Sequence, residues 1–369
     1  YDEAHEQMVD KPRFVDRGKV TADTFANAGA RVLEINSKTG LYPLYVTYSI
    51  FRSRYAACSE EELDDAKLQQ LWDAAVQENV FVICKTPMAK QITRRTLAGY
   101  RDIPVNAHYF DDLINMMKNK PRQFVDRVLK PSYWKQEGVK AMKFDAVVGN
   151  PPYQVMDGGS KASATPVYNY FVEQAKELKP TYVSMIIPAR WYSGGRGLDA
   201  FRESMLHDHR IRQLFDYSDS NDCFAGVDIA GGICYFLWDE NHNGSCEVVN
   251  FHNGARYETL RQLDDNKVFV RYGQALSILN KVQQQTTEFY DSKVSSQKPF
   301  GLRTYVVPTE DGDIQLRYNK GIGPFKRELV TGAFDWIDKW KVIMSYLTYD
   351  HAGRADKDGK RRIFSTMEV

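Results

Sequence analysis

Residues 144–153 are the part of this sequence whose residue types and spacing most clearly suggest a functional site. A short apolar run ends there in a rigid polar turn, Asn150-Pro151-Pro152-Tyr153. Consecutive prolines fix φ at about −65° and remove two amide donors, so the carbonyls of Asn150 and Pro151 have no competing N–H groups beside them. The Asn150 side-chain oxygen and a neighbouring carbonyl could together accept both hydrogens of an amino group, while Tyr153 offers a flat aromatic face. These residues predict a site for a planar aromatic amine.

A stiff turn is the other interpretation of two prolines, and the setting of the turn favours the functional one. Ala146, Val147 and Val148 read as a buried strand, and Gly149 lets the backbone turn at its end. In this setting the Asn-Pro-Pro-Tyr sequence resembles the catalytic motif of amino-methyltransferases that use S-adenosylmethionine (SAM), most often adenine-N6 DNA methyltransferases. The resemblance implies that Asn150, Pro151, Pro152 and Tyr153 are the catalytic residues.

A second stretch, residues 31–51, reads as strand, tight loop and helix, a topology in which a ligand lies beyond the carboxyl end of the strand. It is similar to the family's first motif, Val-Leu-Asp-Pro-Ala-Cys-Gly-Thr-Gly, with Glu34 in place of the Asp and Lys38 where a Gly is usual. The resemblance implies that Glu34 interacts with the methionine amino group of SAM, directly or through water. The remaining cofactor residues implied for this loop are Asn36, Thr39 and Gly40.

The next two predicted strands bear on the rest of the cofactor site. Val80–Cys84 reads as a buried strand, but Lys85 follows it where the family usually has an acid that binds the ribose, so either another residue or the Thr86 hydroxyl must hold the ribose. After the strand predicted to end at residue 109, the resemblance implies that Asp111 approaches the adenine of the cofactor, with Asp112 as the next choice.

Strands and helices alternate as far as about residue 240, which predicts an α/β fold with a mostly parallel sheet flanked by helices. By resemblance this is the Rossmann-like fold of SAM-dependent methyltransferases. Residues 157–163 form a polar, Gly-rich loop and predict a lid over the substrate. A polar turn at residues 221–228 contains Phe224, which by resemblance packs against the displaced base and otherwise is a buried residue at a strand edge.

Length, net charge and cysteine content limit the number of domains and the kinds of site that this chain can have. With 369 residues and 43% hydrophobic content, the chain is long enough for two domains. Its net charge is only +1, so a nucleic-acid surface must come from local arrangement of charge. The five cysteines show no Cys-x-x-Cys spacing, which argues against a zinc site or a disulfide framework and favours a reducing, cytoplasmic compartment. We expect no metal and no membrane span, and the missing initiator Met suggests a fragment.

We therefore predict a catalytic domain over residues 1–242 and a mixed α+β target-recognition domain over residues 243–369, an order found in gamma-type amino-methyltransferases. Residues after 243 change to Asn- and Gly-rich turns, short β-branched runs and clustered basic residues. The basic residues are Lys326, Arg327, Lys339, Lys341, Arg354, Lys360, Arg361 and Arg362. The whole resembles the methylase portion of a type IIG-like restriction-modification protein, which implies double-stranded DNA as partner and nuclease or helicase segments in a larger polypeptide.

The resulting hypothesis is site-specific methylation of adenine N6 in duplex DNA, with SAM as the donor and a flipped-out base as the acceptor. Three alternatives stay open. One is the same chemistry on another amino or amide group, such as protein glutamine or RNA guanine. Another is cytosine N4, where Ser is commoner than Asn at the first motif position. The last is a non-catalytic DNA-binding specificity module, which Lys38 and Lys85 suggest.

Overall fold

The computed structural model describes residues 17–59, 61, 63–136, 138–156, 164–195, 197–252, 254–266, 269–286, 293–295, 298–303, 305–318, 321–344 and 365–368. The chain divides into two compact units, Tyr1–Leu279 and Asn280–Val369. The predicted lid at residues 157–163 lies outside the described residues, as do the basic residues from 354 to 362. None of the helices in the described part of the chain is long and apolar enough to cross a membrane.

A nine-stranded sheet forms the centre of the first unit, in the order β11-β10-β8-β9-β7-β4-β1-β2-β3. Its strands are β1 (Val32–Ser37), β2 (Val80–Cys84), β3 (Asn106–Tyr109), β4 (Ala146–Gly149), β7 (Tyr182–Pro188), β8 (Ile211–Tyr217), β9 (Ile233–Asp239), β10 (Cys246–His252) and β11 (Ala255–Arg261). Only β9 and β11 run opposite to the others. The predicted α/β fold with a mostly parallel sheet is confirmed.

Helices connect the parallel strands and cover both faces of this sheet. They are α1 (Lys19–Thr21), α2 (Leu41–Ala56), α3 (Asp65–Ala74), α4 (Pro87–Ala98), α5 (Leu113–Asn119), α6 (Pro121–Val128), α7 (Tyr168–Glu177), α8 (Asp199–Leu206) and α9 (Gly273–Gln285). A helix is expected from the sequence to begin at Ser59, but α3 begins after Asp64, whose side chain accepts a hydrogen bond from the Lys67 N–H at 2.7 Å. A short hairpin, β5 (Gln154–Met156) with β6 (Ala164–Pro166), follows the Asn-Pro-Pro-Tyr turn.

Two apolar cores lie on opposite faces of the sheet. Helices α5 to α8 cover the larger one, with Phe124, Phe171 and Phe201 fully or nearly fully buried. Helices α2 and α4 cover the smaller one, where Ile50 and Leu97 pack against the strands. Because parallel strands with both faces covered must be apolar throughout, the uninterrupted Val80–Cys84 run becomes an inner strand, β2.

Strands β10 and β11 extend the sheet beyond the predicted domain boundary at residue 242. β10 pairs with β8 in parallel, and β11 returns antiparallel to β10. The predicted boundary therefore falls between two strands of one sheet, and the first compact unit continues to Leu279. The second unit contains two small antiparallel pairs, β12 (Ile314–Tyr318) with β13 (Gly321–Phe325) and β14 (Lys341–Met344) with β15 (Ser365–Glu368).

Candidate active site

The two predicted functional stretches meet at one edge of the sheet, because β1 and β4 are parallel neighbours. Ile35 of β1 stands opposite Gly149 of β4, so the residues that follow each strand emerge side by side at its carboxyl end. Gly149 makes this approach possible, since a Cβ at that position would lie 2.6 Å from the Ile35 carbonyl oxygen. The pairing of β1 with β4 therefore places the Glu34–Gly40 loop beside the Asn150–Tyr153 turn.

A hydrogen bond joins the two stretches directly. The Asn36 side-chain Nδ2 donates to the Asn150 carbonyl oxygen at 2.8 Å, across 114 residues of sequence. Asn36 is buried and has φ +77°, a left-handed conformation that Asn tolerates better than most residues. The register between β1 and β2 shifts at this point, between Ile35 and Ser37. Asn36, predicted to line the cofactor loop, thus holds the Asn150–Tyr153 turn in place.

Glu34 has a buried carboxylate that lacks a full set of hydrogen-bond partners among the described residues. Its side chain is only 4% exposed, and its Oε2 has no hydrogen-bond partner among the described residues. Burial raises its pKa to about 7, against the opposing effects of a Ser37 hydrogen bond and the Lys38 charge. A buried carboxylate of this kind suits a cationic ligand such as an ammonium group, so the residues present fit the amino end of SAM.

This burial predicts a pH dependence that a single substitution can isolate. An acid whose pKa is 4.5 unfolded and about 7 folded binds more protons when folded, so its contribution to stability falls as pH rises from about 4.5 to 7. Without cofactor, Glu34→Gln should therefore gain stability relative to wild type by about 3 kcal/mol between pH 5 and pH 8. Urea denaturation of both proteins at the two pH values measures this, and an unchanged difference would contradict the burial of the charge.

The remaining loop residues are braced by α4. Gly40 has φ +78° at the start of α2, and a Cβ there would lie 3.0 Å from the Thr93 Cα, so the position requires glycine on both counts. The Thr39 carbonyl accepts a hydrogen bond from the Thr96 hydroxyl at 2.7 Å. The Glu34–Gly40 loop, which is predicted to bind SAM, is therefore hydrogen-bonded to α4 as well as to the Asn150–Tyr153 turn.

Two lysines accompany this loop where the family pattern predicts a glycine and an acid. Lys38 and Lys85 are both exposed, and the Lys85 N–H donates to the Ser37 carbonyl at 2.9 Å. Partial burial and the Lys85 charge lower the pKa of Lys38, while Glu34 opposes the shift. The Thr86 hydroxyl accepts a hydrogen bond from the Ala89 N–H at 3.1 Å as the cap of α4. Thr86, one of the residues predicted to hold the ribose, therefore uses its hydroxyl oxygen to cap α4.

The two acids after β3 have different surroundings. Asp112 caps α5 and accepts a hydrogen bond from the Asn115 N–H at 3.0 Å. Asp111 precedes it in an exposed turn, directly after the buried Phe110. The capping role of Asp112 supports Asp111 as the better candidate for the adenine of the cofactor.

Tyr153 is the last residue of the Asn150–Tyr153 turn. Its hydroxyl is buried and has no hydrogen-bond partner among the described residues. Burial raises its pKa well above that of an ordinary tyrosine, and Tyr42 and Cys223 add to the shift. Tyr42 itself interacts electrostatically with Glu34 and Cys223. Tyr42 is thus a member of the candidate site that the sequence did not reveal, although its place two residues after Gly40 in the first turn of α2 was an available signal.

Phe224 lies in the loop between β8 and β9, and Arg271 closes the base of this loop. The Arg271 guanidinium donates to the Tyr217 carbonyl at 3.1 Å, where the loop begins, and to the Gly231 carbonyl at 2.8 Å, where it ends. The same group forms two hydrogen bonds with the Asp216 carboxylate, at 2.7 and 2.8 Å. Phe224 is half-buried.

Residues 78–224 match the model of the Eco57I restriction-modification methylase family. Residues 78–224 of this chain are therefore similar to restriction-modification methylases. The matched stretch includes the Asn150–Tyr153 turn, Asp111 and Phe224, and it begins after the Glu34–Gly40 loop. In the described part of the chain, no group of three or more His, Cys, Asp or Glu side chains could hold a metal ion.

A similar protein and two similar solved structures are also described as methylases or restriction-modification enzymes. A protein from Mycoplasma pneumoniae described as an uncharacterized adenine-specific methylase is 41% identical over 146 residues, which cover 39% of this chain and 33% of the relative. The match thus spans about a third of the length of this relative. Among solved structures, the type I restriction-modification methyltransferase subunit from Streptococcus thermophilus matches over 73% of this chain and 51% of its own, with 10% identity and a TM-score of 0.38. The type IIL enzyme MmeI matches over 66% and 37%, with 12% identity and a TM-score of 0.43.

Proposed function

We propose that this chain is the catalytic part of a DNA adenine-N6 methyltransferase that uses SAM and belongs to a restriction-modification system. The observation that carries the proposal is the 2.8 Å hydrogen bond from Asn36 to the Asn150 carbonyl, which couples a loop suited to a methyl donor to a turn suited to an amino acceptor. The match to the restriction-modification methylase family supports methyl transfer, and the relative described as an adenine-specific methylase supports adenine as the acceptor.

The acceptor side follows from the turn itself. Because the Asn150 carbonyl already accepts from Asn36, the Asn150 side-chain oxygen and the Pro151 carbonyl are the two acceptors left for the hydrogens of an amino group. Held by both, the nitrogen directs its lone pair at the methyl donor, and the same two oxygens stabilise the positive charge that develops on it. Tyr153 stacks on the base through its neutral aromatic ring.

Access to N6 requires the adenine to leave the duplex. Unstacking costs a few kcal/mol, which stacking on Tyr153 partly offsets. We assign Phe224 the role of a second contact with the displaced base, on a loop whose two ends are held by Arg271.

The donor side is formed by Glu34, Asn36, Thr39, Gly40 and Asp111. When bound, SAM supplies an electrophilic methyl group. Glu34 would accept a hydrogen bond from its amino group, Asp111 would lie toward its adenine, and Thr39 and Gly40 would line the loop that holds it.

Methyl transfer from labelled SAM to mixed-sequence duplex DNA, to RNA and to protein tests the proposal with matched acceptors. We expect label on DNA, located at adenine N6 by hydrolysis and chromatography, and its loss in Asn150→Ala. Label on RNA or protein alone, or label on DNA that Asn150→Ala does not reduce, would contradict the proposal.

A non-catalytic DNA-binding module is the second candidate, because Lys38 and Lys85 stand where the family pattern has a glycine and an acid. Calorimetric titration with SAM separates the two functions. Saturable heat that Glu34→Gln diminishes supports the methyltransferase, whereas no heat at millimolar SAM supports the module.

The wider setting is part of the same proposal. We expect double-stranded DNA as the partner, target recognition by residues 243–369, a cytoplasmic location, and nuclease or helicase segments in the complete polypeptide. Identifying methylated sites in DNA from cells that express the complete protein would give the recognition sequence.

A further inference from the structure

Two stretches of the first compact unit contain basic residues and no acidic ones. No Asp or Glu occurs between Glu34 and Glu60, or between Glu78 and Asp102. The Lys and Arg residues within these stretches are Lys38, Arg52, Arg54, Lys85, Lys90, Arg94, Arg95 and Arg101. In a chain of net charge +1, this is a pronounced local excess of positive charge.

Neighbouring elements neutralise only part of this charge. Arg54 pairs with Glu78 at 3.0 Å, and Arg101 pairs with Asp73 at 2.7 Å. Among the residues that the structure describes, Arg94 and Arg95 form no ion pair with a carboxylate, and both are exposed. In the described part of the chain, Arg94 and Arg95 therefore carry positive charges without a carboxylate partner, although Arg95 also donates to the Gly99 carbonyl at 3.2 Å.

Helix α2 presents an exposed row of tyrosines on the same side of the sheet. Tyr45, Tyr48 and Tyr55 are 41%, 36% and 45% exposed. The buried sides of α2 and α4 pack into one apolar core, and the two helices touch where the Gly40 backbone meets Thr93. We call Tyr45, Tyr48, Tyr55, Arg94 and Arg95 the α2–α4 face.

We propose that the α2–α4 face binds the sugar-phosphate backbone of duplex DNA beside the candidate active site. Arg side chains and Tyr hydroxyls are regular donors to phosphate oxygens, and neither α2 nor α4 itself carries a carboxylate that would repel a polyanion. The 16 residues of α2 span about 24 Å, equivalent to about 7 base pairs. The helix begins at the Gly40 loop, so the face leads away from the donor site along a path that DNA next to the target could follow.

DNA is the preferred occupant because the face is rich in charge and hydroxyl groups. Arg95 also lies 4.5 Å from the ring centroid of Tyr100, which is 92% exposed, so the guanidinium is ordered at the surface. Exposed apolar side chains nearer the helix N-termini, Leu41, Met88 and Ile92, would suit a protein instead. The experiment therefore measures the salt dependence of DNA binding, which reports contacts with phosphate groups.

The test compares the double variant R94Q/R95Q with wild type in the complete 369-residue chain, by fluorescence anisotropy of a long mixed-sequence duplex over a series of salt concentrations. Each phosphate contact contributes about 0.9 to the slope of log affinity against log salt, so we expect the slope to fall by about 1.8 and the affinity at low salt to fall about tenfold or more. Y45F/Y48F, which removes only two hydroxyl groups, should weaken binding by a smaller factor.

A charge-matched control is K120Q/R122Q, which changes two exposed basic residues at α5 and α6, on the other side of the sheet. Its salt slope should equal that of wild type. An unchanged slope in R94Q/R95Q, an equal drop in the control, or no salt-dependent DNA binding by wild type would overturn the proposal, and an unchanged slope would leave a protein as the occupant.

The inference rests on the proposed function only for the choice of DNA as ligand, and the two can fail separately. R94Q/R95Q should raise KM for DNA while kcat stays near wild type, because neither arginine touches the catalytic turn. A chain that binds DNA through this face but transfers no methyl group would refute the methyltransferase and retain the face.

Discussion

Asn150→Ala should lower kcat for methyl transfer by about 10²–10³-fold while the affinities for SAM and DNA change only a few-fold. The side-chain oxygen is one of two acceptors proposed to hold the amino group, and losing one preorganised hydrogen-bond partner at a reacting atom costs about that factor. Binding is spared because the backbone of the turn is held independently, by strand β4 and by Asn36. Single-turnover kinetics with saturating DNA, together with separate binding titrations, measure the two effects.

Asn36→Gly is the matched control for this prediction. Glycine accepts the φ of +77° at this position, so the substitution removes the donor to the Asn150 carbonyl without adding backbone strain. We expect a smaller loss of kcat than in Asn150→Ala, since the catalytic turn is loosened but both acceptors remain. A full loss of DNA binding in Asn150→Ala would instead assign that side chain to binding rather than to catalysis.

Arg271→Ala should destabilise the protein by about 3–5 kcal/mol, the cost of leaving a buried charge without its partner. Asp216 is 0% exposed, and Arg271 supplies two of its hydrogen bonds, with Asn250 supplying a third at 3.1 Å. The same change frees both ends of the β8–β9 loop, so methyl transfer should fall further than stability alone explains. Urea denaturation gives the first quantity, and activity at a temperature where the variant is folded gives the second.

An exposed ion pair provides the comparison. Arg101→Ala breaks the pair with Asp73, whose two side chains are 38% and 19% exposed, and should cost at most about 1 kcal/mol. The double variant D216N/R271Q should recover part of the loss, because no unpaired charge is then buried. If Arg271→Ala and Arg101→Ala cost the same, the buried pair does not hold the loop.

Much of the architecture could be predicted because the buried strands have a recognisable local sequence pattern. Val80–Cys84 is a continuous apolar run, and strand β2 has the predicted bounds. Such runs arise when a strand is covered on both faces, so the pattern needs no knowledge of its neighbours. The start of α3 was less predictable, since Ser59 and Asp64 are both good caps and only packing decides between them.

The Asn150–Tyr153 turn is determined by the sequence alone, because its two prolines constrain the backbone and its side chains supply the acceptors and the ring whatever lies around them. Only the tertiary structure decides what holds that turn. The hydrogen bond from Asn36, the burial that raises the pKa of Glu34 to about 7, and the Arg271 contacts at the loop base all join residues that are distant in sequence or depend on burial. Pairing across 114 residues leaves no local pattern, since either partner alone is an ordinary polar residue, and the contact exists only once β1 and β4 lie side by side.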